Sequence, residues 1–264
     1  MLIDAHVHVY EEPMPRLGRA DVTIEGVVAT MDRLGVGGSI LVSAWGAYGD
    51  DPSYAVQGHL RHPDRFRLVA PFDVRSADLE EKLERWVATP GAVGLRLVGL
   101  GDQDISLAGA GAHRVAQTAA RTGLVLCLLS PGRPHVVDGL VRAYPEARFV
   151  LDHLGLGMGD EQDPLADLPD VLALARYGNL ALKVANIARL SRSGPPFADV
   201  WDPMSRLIDA FGPDRCMWGT DWTVTQQLAS VDELVDVLRR DLPLTPRERD
   251  AVMGGTAARV FRWR

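Results

Sequence analysis

AVGLRLV at residues 92–98, AHRVAQTAAR at 112–121, VLCLL at 125–129, HVVDGLVRAY at 135–144 and RFVLDH at 148–153 follow one another along the chain. The first, third and fifth are short apolar or β-branched runs. The second and fourth repeat apolar residues at intervals of three and four, the period of an amphipathic helix. RTGL and YPEARF stand between them, and their Gly123 and Pro145 stop a helix where a strand must begin. Strands that alternate with helices in this way are parallel strands joined by crossovers.

The same rhythm extends in both directions. Strands are predicted at 2–9, 39–44, 67–72, 180–184 and 216–219, which with the three above makes eight, and further helices at 24–34, 77–88 and 203–211. Gly35, Pro63, Pro90, Gly178 and Pro213 punctuate these units. Eight β/α units in about 250 residues have the size of a (β/α)8 barrel. The fold class expected is therefore α/β, a single TIM barrel, with residues 1–264 as one domain, because no linker, repeat or low-complexity stretch marks a second. A doubly wound sheet is the runner-up. It lacks its usual signal, since Asp4 to Tyr10 lead into EEPMPR and not into a glycine-rich turn. LSRSGPPF at 190–197 is the loop expected to be most mobile.

Composition narrows the class of partner. Hydrophobic residues make up 47% and charged residues 24% of the 264, so the chain can bury a large core and is neither disordered nor disulfide-stapled. The net charge of -7, with no basic block, argues against nucleic acid. No run approaches the ~20 apolar residues of a membrane span. Cys127 and Cys216 each sit in an apolar run and read as small hydrophobes. MLIDAHVHVY has no basic leader and apolar core of a signal peptide, so a reducing cytoplasm is the expected location.

In a parallel barrel, the groups that carry chemistry hang from the C-terminal ends of the strands. The first strand ends in His6-Val7-His8, and a period of two puts both imidazoles on one face, where they can bind a metal or hold a substrate oxygen. An isolated HxH is often merely structural. Strand six ends in Asp152-His153 and strand eight in GTDW, with Asp221 just past it. A buried carboxylate needs a reason: Asp221 is either catalytic or a helix N-cap. Arg96 in VGLRLV and Lys183 in LALKVAN sit among apolar neighbours. Each either holds an anionic substrate group or pairs internally with Asp4, Asp73 or Asp152. Trp45, Tyr48 and Trp222 would form an aromatic wall at the rim or pack in the core. His59, His62, His113 and His135 are assigned to helical stretches or their caps and read as solvated surface residues.

Taken together, IDAHVHV, HPDRFRLVAPFDV, GLRL, RFVLDHLG and FGPDRCMWGTDW resemble the amidohydrolase-related TIM-barrel family. The similarity is closest to its lactonase branch, which includes sugar lactonases and 2-pyrone-4,6-dicarboxylate lactonase, and runs from Leu2 to about Trp222. The resemblance implies an enzyme that opens a lactone or similar cyclic ester. Asp221 would activate water, and His6, His8 and His153 would polarise the carbonyl. Arg96, Lys183, Trp45, Tyr48 and Trp222 would contact a small substrate, expected to be anionic.

One departure concerns the metal. Where metal-dependent members place a histidine after strand five, this chain has LVLCLLSPG, and Arg96 stands on the strand that elsewhere carries a modified lysine. A binuclear site is not expected. A single divalent ion such as zinc would have His6, His8 and Asp221, just sufficient, and part of the lactonase branch is thought to work without one. Two alternatives remain at this point: a metal-dependent decarboxylase or hydratase using the same mouth, and an inactive barrel that binds a metabolite.

Overall fold

A computed structural model describes residues 1–12, 22–100, 103–157 and 163–263. Its strands β1 (Leu2–Val7), β2 (Val36–Val42), β3 (Phe66–Pro71), β4 (Ala92–Val98), β5 (Val125–Leu129), β6 (Arg148–Leu151), β7 (Leu180–Val184) and β8 (Cys216–Trp218) pair in chain order. Each is parallel to the next. Parallel pairing in chain order requires a crossover after every strand. Ile24–Leu34, Ser53–Arg61, Leu79–Val87, Ala110–Thr122, Pro134–Ala143, Leu168–Leu174 and Trp201–Phe211 are helices of these crossovers. Beyond β8 the chain returns to β1, where the Asp221 N–H donates to the His6 carbonyl at 2.9 Å. The sheet is thus a nearly closed (β/α)8 barrel; a doubly wound sheet would break the chain order.

Two apolar layers follow from the alternation of side chains along each strand. Leu41, Leu95, Leu182 and Val184 face outward onto the helices. Ile3, Ala5, Ile40, Val69, Cys127, Val150, Ala181 and Met217 form the interior cluster, joined by Phe261 from the C-terminal segment. In β1 the register is irregular between Asp4 and Val7. The break lets Ala5 join the interior while Val7 and Val9 pack outward, leaving His6 and His8 directed inward above it.

Strands β4, β5 and β7 and the helix Ile24–Leu34 have the bounds predicted for them. β2 starts three residues earlier than expected, at Val36 rather than 39, because Gly37 and Gly38 belong to the strand and not to the preceding turn. A Cβ on Gly37 would lie 2.4 Å from Met1 Cγ, and one on Gly38 would lie 2.4 Å from the Trp263 ring. These glycines permit close approach. In the 190–197 loop, expected to be the most mobile, Asp199 accepts bonds from Ser191 Oγ at 2.6 Å and the Arg192 N–H at 2.7 Å, and Phe197 is buried. Both cysteines are free and buried. Among the described residues, no helix is long and apolar enough to cross a membrane.

A candidate active site at the mouth of the barrel

The strands deliver their polar residues to one end. His6 rides on β1, Arg96 on β4 and Lys183 on β7, while His8 directly follows β1, Asp152 and His153 follow β6 and Asp221 follows β8. All seven are buried. The turns that present them are held in left-handed backbone: φ is 53° at His153, 60° at Leu154, 63° at Asn186 and 54° at Asp221. Such conformations are unfavourable by roughly 1–3 kcal/mol each for residues other than glycine and cluster at functional sites. The turn at His153 is also why β6 ends at Leu151, short of the expected 153.

A cavity of about 500 Å³ opens over these groups, a size suited to a small metabolite. His8, Arg96, His153, Arg189 and Asp221 supply its polar lining, and Tyr10, Trp45, Val98, Leu129 and Val224 its apolar walls. A larger cavity of about 620 Å³ lies outside the barrel, near Lys82 and Trp86. It is lined by none of the groups just named, so the smaller one is where chemistry is placed.

Asp221 sits at the centre of the mouth. Its Oδ1 has no hydrogen-bond partner among the described residues and lies 3.5 Å from His8 Nε2, while Oδ2 lies 3.9 Å from His153 Nε2. It precedes the short helix Trp222–Thr225, yet its side chain makes no capping bond there. Burial pushes its pKa up to about 8, against the opposing charges of Arg96 and Arg189. Desolvation at this depth favours the protonated carboxyl at neutral pH. The turn is clamped by Asp4, which accepts from the His6 N–H at 3.1 Å, from the Thr220 N–H at 2.9 Å and from the Thr220 hydroxyl.

Beneath the histidines lies a buried ion cluster. Asp152 Oδ2 accepts from Arg96 Nε at 2.7 Å, and its Oδ1 is 2.9 Å from Lys183 Nζ. Burial would raise the Asp152 pKa, but the Lys183 and Arg96 charges outweigh it and hold it at about 2. The internal partner anticipated for the two cations is thus Asp152, and it takes both. Arg96 also lines the cavity. Lys183, expected at the substrate, is fully buried and is not part of the cavity lining.

The imidazoles are held neutral. Burial lowers the pKa of His8 to about 3 and that of His153 to about 3, and drives His6 well below its ordinary value. His8 Nδ1 is 2.6 Å from the Val42 carbonyl. A carbonyl only accepts, so Nδ1 carries the proton and Nε2 presents a lone pair. A neutral His8 therefore has no Nε2 proton to give directly to a carbonyl, whereas His153 and Arg96 also line the cavity.

Other expectations are revised. Trp45 lines the cavity, but Trp222 is buried in the core cluster that includes Val7 and Trp218. Tyr48 stands behind Tyr10, ring centroids 6.3 Å apart, and binds the Glu11 N–H. His59 is buried, with Nδ1 2.9 Å from the Phe66 carbonyl, and is not a surface residue. His62 meets Glu25, His113 meets the Tyr144 hydroxyl at 2.9 Å, and His135 is exposed. Two mouth residues went unread in the sequence. Tyr10 directly follows HVHV, and Arg189 lies one turn past β7 in the helix Ile187–Leu190, with a buried Nε that has no hydrogen-bond partner among the described residues.

A model of the amidohydrolase family matches residues 3–263. The chain belongs to the amidohydrolase family. This member is 27% identical to a 4-sulfomuconolactone hydrolase of Rhizobium radiobacter over 238 residues, 83% of this chain and 74% of that protein. It is 46% identical to an L-fucono-1,5-lactonase of Burkholderia multivorans over 60 residues, 22% of this chain and 20% of that protein. The crystal structure of an amidohydrolase from Burkholderia multivorans with bound zinc superposes with a TM-score of 0.82, 24% identity and 99% coverage of both chains.

Whether this amidohydrolase could take an ion is a matter of donor geometry. Among the described residues, His6, His8 and Asp221 are the one cluster of three metal-ligating side chains, with ligand atoms within 4.8 Å of one another. His6 Nε2 and His8 Nε2 are 3.3 Å apart, and His8 Nε2 is 3.5 Å from Asp221 Oδ1. Ligands about 2.0–2.1 Å from a tetrahedral zinc stand roughly 3.3 Å from each other, so these two separations match one ion, and the third pair of donor atoms is no more than 4.8 Å apart. β5 ends in Leu128 and Leu129 and adds no ligand. Metal analysis of protein purified without added salts is expected to find at most one ion per chain, removed by a mild chelator; two tightly held ions would overturn the ligand set.

Proposed function

We propose that this amidohydrolase hydrolyses the ester bond of a small lactone, with the chain from 1 to 264 acting as one barrel domain. The observation that carries this reading is the Asp221 carboxylate, whose Oδ1 has no hydrogen-bond partner among the described residues and which faces His8 and His153 at the cavity. A water there hydrogen-bonds to Asp221 and gives its proton to that carboxylate. The hydroxide attacks the lactone carbonyl. His153, whose Nε2 faces the carboxylate at 3.9 Å, and Arg96 then donate to the oxygen on which negative charge develops. When the tetrahedral intermediate collapses, the ring C–O bond breaks and Asp221 returns its proton to the leaving alkoxide. The curated relatives named for lactone hydrolysis support the reaction class. A zinc ion held by His6, His8 and Asp221 would lower the pKa of a bound water and polarise the carbonyl.

The pH dependence follows from burial of the base. A carboxyl raised to about 8 is mostly protonated at pH 7 and becomes a competent base only as pH rises through that value. kcat/KM, corrected for spontaneous hydrolysis, is expected to climb about tenfold per pH unit below pH 8 and to level above it. A profile flat from pH 5 to 8 would contradict the assignment of Asp221 as base.

The substrate class follows from charge at the mouth. Arg189 and Arg96 both line it, in a chain of net charge -7. A locally positive cavity in a negative protein concentrates an anion, so a lactone bearing a carboxylate or comparable acidic group is the proposed substrate. Arg189→Met removes the guanidinium and keeps bulk. It is expected to raise KM for an anionic lactone at least tenfold while changing a neutral analogue little; equal losses on both would assign Arg189 to packing.

A further inference from the structure

The buried Lys183 ammonium faces a histidine that is also a candidate metal ligand. A ligating imidazole ordinarily donates its remote N–H to a carbonyl or carboxylate, which leaves the other nitrogen free for the ion. His8 follows that pattern, with Nδ1 at the Val42 carbonyl. His6 does not. Its Nδ1 lies 3.3 Å from Lys183 Nζ, and the Asp152 carboxylate, the nearby acceptor, stands farther off at 3.9 Å. An ammonium has only protons to give, so Nδ1 of His6 accepts and its proton resides on Nε2. That proton points along the 3.3 Å contact to His8 Nε2, which the Val42 bond has left as an acceptor. The hydrogen bonds therefore run in one direction, from Lys183 to His6 to His8, and occupy the two nitrogens an ion would need. Lys183 is itself held in place by Asp152 at 2.9 Å and is fully buried.

We propose that Lys183 is a positioning residue that fixes His6 as a proton donor to His8 and thereby weakens metal binding by the His6, His8 and Asp221 trio. To ligate, His6 must move its proton to Nδ1, where a cation now stands. A glutamine at 183 reverses the arrangement: its carbonyl oxygen accepts from Nδ1–H, and its amide can still donate to Asp152. The effect concerns the donor set alone and holds whether or not the natural substrate is a lactone.

Two measurements test it without recourse to activity. In the metal-free, 15N-labelled wild-type protein, long-range proton–nitrogen correlation is expected to find His6 protonated on Nε2 and His8 on Nδ1. Zinc affinity, read by competition with a chromophoric chelator, is expected to tighten about 10–100-fold in Lys183→Gln, the range by which a ligand's hydrogen-bond partner ordinarily alters affinity. Lys183→Met, which removes the ammonium without supplying an acceptor, should change in the same direction by less. A metal-free wild type with His6 protonated on Nδ1 overturns the proposal, as does an unchanged or weaker zinc affinity in a folded Lys183→Gln. If both variants fail to fold, the tautomer of His6 in the wild type decides.

Discussion

Asp221→Asn is expected to lower kcat for lactone hydrolysis by about 10²–10⁴-fold, the usual contribution of general-base assistance. The amide is nearly isosteric but cannot take a proton from water. Because the Asp221 backbone N–H bond to His6 and the Asp4 clamp on Thr220 do not involve the side chain, the turn keeps its shape. The same substitution is expected to stabilise the protein. The folded carboxyl titrates near 8 and the unfolded one near its ordinary 3.8, so between those values the folded state holds the extra proton and stability falls as pH rises. Asn removes that loss. The variant should therefore melt higher than wild type at pH 8, with the gap narrowing toward pH 4; parent-level turnover, or a lower melting temperature at pH 8, would make Asp221 a structural brace.

Asp152→Asn is expected to act in the opposite direction on stability. Asp152 is the shared counter-ion of Arg96 and Lys183, both buried. Removing one partner of a buried ion pair typically costs about 3–5 kcal/mol, because the remaining charge is left uncompensated. In a chain of this size about 1 kcal/mol moves the melting temperature by roughly 2–4 °C, so a fall on the order of 10 °C is expected. The folded carboxylate is held at about 2, below the unfolded 3.8, so its stabilisation is present above pH 3.8 and is lost as pH falls toward 2. Thermal melts of wild type and variant should consequently converge in acid. A variant as stable as wild type at pH 7 would mean that Arg96 and Lys183 find other partners.

The barrel was legible because most crossovers repeat the same physical signal, an apolar run, a periodic helix and a glycine or proline between them; the helices Ser53–Arg61 and Leu168–Leu174 were not among those read. Where a residue broke the local rule, the reading slipped. Gly37 and Gly38 look like a turn but belong to β2, since what they accommodate, Met1 and Trp263, is far away in the chain. The site was legible as a set of strand ends, His6-Val7-His8, Asp152-His153 and Asp221, because a parallel barrel places all such ends at one mouth. Depth was not. Strand periodicity says that Lys183 faces inward but not how far below the mouth its ammonium stops, and only its pairing with Asp152 distinguishes a brace from a substrate contact. Trp222 and His59 escaped for a related reason, as helix-flanking positions whose burial depends on neighbours from other units. Arg189 lies beyond a strand end on a short helix, where sequence offers no period to aim it.

Incubating the enzyme in H₂¹⁸O with a set of carboxylated and polyhydroxylated 1,4- and 1,5-lactones, and reading the products by mass spectrometry, tests most directly whether Asp221 delivers water to a lactone carbonyl. Wild type is expected to yield an open hydroxy acid carrying one ¹⁸O in its new carboxyl group, and Asp221→Asn to yield almost none. Products isomerised without ¹⁸O, release of CO₂ from carboxylated acids, or no turnover of any lactone would contradict it.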